Sequence, residues 1–182
     1  MELHNRTLGQ WLEHWAETTP DKEYIVYSDR DLRFTWSEFN KRVDDMAKGM
    51  LAIGITHGTH VGVWATNVPD WLTFLYAGAK IGAVLVTINT NYNKANWNIW
   101  LRTPISIRCV SQTACLMEVH VDMVYTMLPE LKTSQRGYLK SKRFPRLENC
   151  SIYRTGEIQG YVQVRPRWLL LGQNIKDETL EA

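Results

Sequence analysis

No run of apolar residues in this 182-residue chain reaches the length of a membrane-spanning helix, and the opening MELHNRTLGQWLEH lacks the basic-then-apolar order of a secretory leader. A cytoplasmic protein is expected. Cysteine is scarce: Cys109, Cys115 and Cys150 are odd in number and include no C-x-x-C pair. That argues against a disulfide framework and against a zinc site, and leaves free thiols as the expectation. Asn5-Arg6-Thr7 and Asn149-Cys150-Ser151 fit the glycosylation triplet, but without a leader they are not expected to meet the machinery. Excess charge of one sign is also missing. A formal net charge of +2 with 22% charged residues calls for neither nucleic acid nor an anionic membrane surface. The sequence contains no G-x-G-x-x-G, no G-x-x-x-x-G-K-[ST], no H-E-x-x-H and no G-x-S-x-G, so the common nucleotide, zinc-protease and nucleophile-elbow signatures are absent. No repeat or low-complexity tract interrupts the chain, and its length suits one domain with one full core.

The most informative stretch present is HVGVWATNVPDWLTFLYAGAKIGAVLVTINTNY, from His60 to Tyr92. His60 to Ala65 is β-rich, Asn67 is placed to cap a helix, and Pro69 sits in the first turn, where a missing N–H costs nothing. Trp71, Leu72, Leu75, Ala79 and Ile81 recur at helical spacing. Gly82 then stops the helix before the apolar run Ala83 to Ile88, which suits a strand buried on both faces. The pattern predicts a βαβ unit and hence a parallel sheet with helical cover.

Upstream, Thr7-Leu8-Gly9-Gln10 has capping-box form and predicts a helix to about Glu17, with Leu8, Trp11, Leu12 and Trp15 on its face. Tyr24 to Tyr27 and Leu32 to Phe34, separated by Ser28-Asp29-Arg30-Asp31, predict a hairpin. Thr35-Trp36-Ser37-Glu38 is a second capping box, followed by the stripe Phe39, Val43, Met46, Met50 and Ile53 and a stop at Gly54. Downstream, Asp122 to Leu128 reads as helix with Val124 and Leu128 on one side, and Lys132 to Arg146 as a polar connector.

Asn67-x-x-Asp70-Trp71, Gly78-Ala79-x-Ile81-Gly82-Ala83-Val84 and Ile88-Asn89-x-x-Tyr92 together resemble the N-terminal region of the adenylate-forming acyl-CoA synthetases, the AMP-binding enzymes. The resemblance extends back through TLGQWLEHWAETTP and LRFTWSE, and forward to PELKTSQRGYLKSKRFP and to Leu169–Ala182; it is greatest toward the fatty acid-CoA ligase branch. It implies an α/β fold: a partial doubly wound sheet of the adenylate-forming N-terminal domain, with an N-terminal helix and a β-hairpin. Residues 1–182 would then be an incomplete adenylation domain. The family uses ATP, Mg2+ and CoA, joining a fatty acid to the α-phosphate of ATP and passing the acyl group to the CoA thiol. Its Thr/Ser/Gly-rich phosphate loop ending in Lys, its magnesium Glu, its ribose Asp and its C-terminal Lys have no counterpart here. In relatives the phosphate loop begins shortly beyond the position of Ala182. The resemblance therefore implies a truncated fragment that is inactive alone, with no catalytic, cofactor-binding or metal residue assigned. A non-catalytic remnant that associates with a partner through an exposed sheet edge is the alternative.

From about 95 to 121 the resemblance lapses, and Pro104 and poor periodicity predict neither helix nor strand in the sequence as it stands. Combining the last base of each codon with the first two of the next makes Trp97 a Leu and Asn98 a Glu, and permits ELEYLAKNSDIHTLCLTDG, an amphipathic helix followed by an apolar strand. A pair of compensating frameshifts is expected there, with a genuine divergent insertion as the alternative, and a similar slip in the other direction is expected at about 150–167.

Several remaining groups invite a chemical role, and each has a plainer account. Gly78 and Gly82 lie late in the crossover helix, where close packing and helix termination explain them. His57 and His60 have no local Asp, Glu or Cys to complete a site, so a solvated turn is expected. Lys132, Arg136, Lys140, Lys142, Arg143 and Arg146 could touch phosphate, but only Tyr138 and Phe144 interleave them, and a solvated connector is expected. Trp64, Asn67, Asp70 and Trp71 stand where the first strand of the unit meets its helix, and Asn89, Asn91 and Tyr92 follow the second strand. Such strand ends favour ligands in open α/β sheets. Packing and capping are the expected roles of Trp64, Asn67, Asp70 and Trp71, and no role is assigned to Asn89, Asn91 or Tyr92.

Overall fold

The computed structural model describes residues 5–28, 31–102, 108–113, 118–134, 139–147 and 149–154. Among them the elements run α1 (Leu8–Thr18), β1 (Glu23–Tyr27), β2 (Leu32–Thr35), α2 (Trp36–Ala52), β3 (His60–Trp64), α3 (Pro69–Lys80), β4 (Val84–Thr87), α4 (Lys94–Arg102), β5 (Arg108–Thr113), α5 (Glu118–Met127), a 3-10 turn (Pro129–Lys132) and β6 (Asn149–Arg154). The expected signals at Leu169–Ala182 and at 155–167 lie outside the described residues, as do Arg136, Tyr138 and Cys115.

The chain divides into two compact units. The first holds α1, the β1–β2 hairpin, α2 and α3; the second holds β3, β4, α4, β5, α5, the 3-10 turn and β6.

In the first unit both expected capping boxes are formed. Thr7 Oγ1 accepts from Gln10 N at 3.2 Å while Gln10 Oε1 accepts from Thr7 N at 2.9 Å, and Thr35 and Glu38 repeat the exchange at 3.2 and 2.9 Å. The α2 stripe buries Phe39, Val43, Met46 and Met50. On α1 only Gly9 and Leu12 of the inner face are fully buried, whereas Leu8 and Trp15 are exposed.

Both α2 and α3 end in the same device. After α2, Gly54 at φ 79° donates to Leu51 O and Ile55 to Met50 O; after α3, Gly82 at φ 69° donates to Ala79 O and Ala83 to Gly78 O. These are Schellman closures, which need a left-handed residue that glycine supplies without a Cβ penalty.

The start and the face of α3 differ from the sequence reading. Pro69 forces the residue before it into extended backbone, so Val68 (φ −132°, ψ 156°) is the N-cap and Asn67 does not cap. The fully buried positions are Pro69, Asp70, Thr73, Phe74, Ala77 and Gly78, while Trp71, Leu72, Leu75, Ala79 and Ile81 are half-buried. The reason is that α3 packs on α1 and α2 through a partly polar seam, which an apolar-only stripe does not reveal.

The second unit is built on a parallel sheet of order β4-β3-β5-β6. In chain order β3, α3 and β4 follow one another and β3 pairs in parallel with β4, giving the expected βαβ unit. The chain then passes to the other side of β3, the reversal that marks a doubly wound sheet. The expectation that the β4 run is buried on both faces is corrected. Among the described residues β4 is an edge strand, paired with β3 alone, and Val84 and Thr87 are exposed.

The expectation that 95–121 as it stands holds neither helix nor strand is also corrected: helix α4 and strand β5 form within its described residues. Asn93 Oδ1 accepts from the backbone N–H of Ala95 and Asn96, both at 3.0 Å, and Asn96 Oδ1 accepts from Asn93 N at 3.4 Å. This is a capping exchange built from asparagines, and Trp97 and Leu101 one turn on are buried. The core of the unit joins Trp64, Ile88, Trp97, Leu101, Met123, Val124, Met127, Leu128, Leu139, Phe144 and Leu147. Its last three members correct the connector: Lys140, Lys142, Arg143 and Arg146 are exposed as expected, but the apolar residues between them are anchors.

Candidate functional site

In an open parallel sheet the place to look is the carboxyl end of the strands beside the reversal of strand order, here the ends of β3 and β4 within the second unit. Trp64 closes β3. It is fully buried, its indole N–H donates to Asn89 O at 3.1 Å, and its ring meets Trp97 edge-to-face at 4.6 Å. Trp100 continues the cluster at 5.4 Å from Trp97. Trp64 therefore braces the end of β3 against the turn after β4.

That turn is held by its own amides. Asn89 O also accepts from Tyr92 N at 3.1 Å, and Asn89 Oδ1 accepts from Asn91 N at 2.9 Å. The side-chain oxygens of Asn89 and Asn93 are thus engaged in shaping the turn and capping α4, and Tyr92 packs half-buried on the core. The structure brings Trp64, Asn89, Asn91 and Tyr92 together around one turn, in packing and turn-forming roles.

Asp70 and Trp71 belong to the first unit. Asp70 is 5% exposed and forms an ion pair with Arg42 of α2, whose guanidinium lies 5.4 Å from the Phe34 ring centroid. Asn67 is exposed. His57 is exposed and lays its ring against Gly82, and His60 begins β3 half-buried.

Charged chemistry is concentrated where sequence reading did not look for it. Lys80, at the end of α3, is buried, with Nζ 2.6 Å from Glu13 Oε1, 2.7 Å from Asp44 Oδ1 and 3.0 Å from Asn40 Oδ1. It clasps α1, α2 and α3. Burial raises the Asp44 carboxyl above the ordinary carboxylate value, against the opposing pull of Lys80. Gly9 makes the close approach possible, since a Cβ there would stand 2.8 Å from Lys80 Cγ. The only hint in the sequence is Asn40 and Asp44 one turn apart on α2.

Magnesium and nucleotide phosphates, the groups implied by the resemblance, do not fit these residues. Among the described residues no three His, Cys, Asp or Glu side chains converge to hold a metal ion. The N-terminus of α3 carries the Asp70 carboxylate in its first turn and a proline without an N–H, and that of α4 is closed by Asn93. Neither helix start is arranged to receive an anion.

Comparison with known proteins gives the arrangement its context. The chain is 38% identical over 147 residues to YngI of Bacillus subtilis, provisionally named an acyl-CoA synthetase, covering 81% of this chain and 27% of that protein. It is 32% identical over 150 residues to a mitochondrial medium-chain acyl-CoA ligase of Danio rerio, covering 82% of this chain and 25% of that one. The chain thus spans about a quarter of the length of these relatives. A long-chain-fatty-acid-CoA ligase of Archaeoglobus fulgidus superposes with a TM-score of 0.66 at 18% identity, covering 87% of this chain and 29% of that one. The N-terminal domain of FACL13 from Mycobacterium tuberculosis superposes with a TM-score of 0.64 at 19% identity, covering 81% and 34%. Both structures share the fold. Residues 12–102, half of the chain and the stretch from α1 through the asparagine-capped α4, match the AMP-binding enzyme model, so this chain belongs to the AMP-binding enzyme family.

Proposed function

We propose that residues 1–182 supply part of the N-terminal adenylating domain of an ATP-dependent acyl-CoA synthetase of the fatty acid-CoA ligase branch, acting in the cytoplasm, and that this chain alone does not catalyse. The family match over residues 12–102, α1 through α4, carries the reading. The named relatives support the acyl-CoA part of it. ATP, Mg2+, CoA and a fatty acid are the reactants of the whole enzyme. Inactivity of the isolated chain is supported by the absence from its sequence of a Thr/Ser/Gly-rich phosphate loop. Purified chain given ATP, magnesium ions and medium- or long-chain fatty acids is expected to release no pyrophosphate. Release that depends on the fatty acid would overturn the proposal. No helix among the described residues is long and apolar enough to cross a membrane, which is compatible with the cytoplasmic assignment.

A second reading, a non-catalytic chain that associates through its sheet edge, is favoured by β4. Val84 is 44% exposed, and Ala83 to Thr87 carries no charge and no proline to guard the edge. Light scattering on the purified chain separates the readings: a monomer unaffected by Val84→Lys removes the second.

A further inference from the structure

Two cations of the second unit meet on one neutral atom. Asn98 Oδ1 accepts from Arg102 Nε at 3.4 Å and from Nη2 of Arg143, 45 residues beyond it, at 3.1 Å. We propose that Arg102 and Arg143, held together by Asn98, form a binding site for a phosphate dianion carried by a small soluble molecule.

The argument is one of uncompensated charge. Like charges gathered on one oxygen repel, and a carboxamide, which carries only partial charge, cannot cancel two full ones. A helix C-terminus favours one cation, which accounts for Arg102 in the last turn of α4 but not for a second drawn to the same atom. No carboxylate among the described residues forms an ion pair with either guanidinium. Glu130 is engaged elsewhere: its Oε1 accepts from Ser141 Oγ and Lys142 N, and its Oε2 is buried. Lys140, Lys142 and Arg146, exposed on the same segment as Arg143, deepen the positive potential there.

An oxyanion relieves the repulsion. Each guanidinium presents five N–H donors in a planar fork that matches phosphate, and each spends one of them on Asn98. Both nitrogens lie within hydrogen-bond reach of one atom, so a single tetrahedral anion can serve both forks, and a double charge balances both cations. The site stands apart from the acyl-CoA reading, which gives neither arginine a role.

The test is phosphorus NMR of inorganic phosphate titrated against the full chain at fixed ionic strength and mildly alkaline pH, where phosphate is the dianion. Saturable binding is expected. Arg102→Gln or Arg143→Gln should weaken it roughly tenfold, and Arg143→Lys, which keeps the charge but not the fork, should restore it only in part. Lys140→Gln and Arg146→Gln remove the same charge from the same segment and should stay within about twofold of the parent. Asn98→Asp supplies a built-in counter-charge, so it should abolish binding while raising the thermal midpoint, which separates loss of the site from loss of the fold. Phosphatidylcholine vesicles carrying phosphatidic acid distinguish a lipid headgroup from a soluble phosphate. Binding to those vesicles without binding to inorganic phosphate would overturn the proposal. So would a loss in Arg146→Gln as large as that in Arg143→Gln, undiminished binding in Asn98→Asp, or no saturable binding at all.

Discussion

The indole of Trp100 lies on the backbone of Gly62: a Cβ on Gly62 would stand 2.3 Å from Trp100 Cη2 and 3.0 Å from Ile88 Cδ1. Strand β3 can take α4 at this distance only because residue 62 has no side chain. Gly62→Ala is expected to lose roughly 1–3 kcal/mol through overpacking, although alanine is otherwise better tolerated than glycine in a strand. In a Trp100→Ala background the same change should cost much less. Urea unfolding of the four proteins of this cycle gives the coupling.

Lys80 is 4% exposed, and its partners Asp44 and Glu13 are 27% and 47% exposed at the side chain. Lys80→Met leaves Asp44 half-buried without its neutralising partner. A loss of about 2 kcal/mol at neutral pH is expected, below the usual cost of breaking a buried pair because water reaches both acids. The pH dependence follows from the direction of the Asp44 shift. Its folded value lies above the unfolded one, so its contribution to stability is complete below the unfolded value and is lost as pH rises through the folded one. Removing Lys80 takes away an opposing influence and raises Asp44 further. The deficit of the variant, measured by thermal melting, should therefore shrink on acidification through the carboxylate range.

Tyr24 stacks on Trp36 at 3.8 Å and shares a 2.8 Å hydrogen bond with the Tyr76 hydroxyl. Burial, and then that bond, push its phenol well above the ordinary value of 10.0. The folded value exceeds the unfolded one, so Tyr24 contributes fully below pH 10 and loses its contribution as pH climbs beyond it. Tyr24→Phe should cost about 1 kcal/mol at neutral pH. The gap between parent and variant in a melting series should close above pH 10.

The segment from 139 to 147 should respond to its apolar residues and not to its charges. Phe144 and Leu147 are each 1% exposed, and Glu130 Oε1 holds the loop by accepting from Ser141 Oγ at 3.2 Å and Lys142 N at 3.3 Å. Phe144→Ala is expected to cost about 3 kcal/mol. Lys142→Ala and Arg146→Ala, both at exposed positions, should stay within about 0.5 kcal/mol in the same denaturant titration.

Local chemistry was legible in the sequence wherever the deciding residues are neighbours. The Thr7 and Thr35 capping boxes, the glycine stops at Gly54 and Gly82 and the α2 stripe all follow from spacing alone. What escaped is what depends on partners distant in the chain. Asp70 is buried because Arg42 is brought to it, Lys80 because two other helices supply acids, and β4 is an edge because the chain turns to the far side of β3. The segment after Tyr92 escaped for a different reason. Its helix is started by Asn93 and Asn96, which lack the Ser/Thr-x-x-Glu/Gln signature of a capping box, and its inner face is carried by tryptophans. The turn beyond β3 and β4 looked like a ligand position on topology alone, yet its amides are spent on the turn itself.

Those tryptophans allow a comparison that bears on the frame of the coding sequence. Trp64 and Trp97 are both buried and touch edge-to-face, but Trp64 donates to Asn89 O whereas the Trp97 indole N–H has no hydrogen-bond partner among the described residues. An unpaired buried donor costs roughly 1–3 kcal/mol. Leucine at position 97, the residue required by the shifted reading, removes that donor while losing ring contacts, so Trp97→Leu should leave stability within about 1 kcal/mol of the parent. At Trp64 the same substitution removes a satisfied donor and opens a cavity at the end of β3, and a loss of about 3 kcal/mol or more is expected. Urea midpoints for the two variants, read beside the codons at 95–121, test both halves of the argument. A Trp97→Leu protein as unstable as Trp64→Leu would mean that the indole at 97 is a fitted part of the core, and would remove the physical case for leucine there.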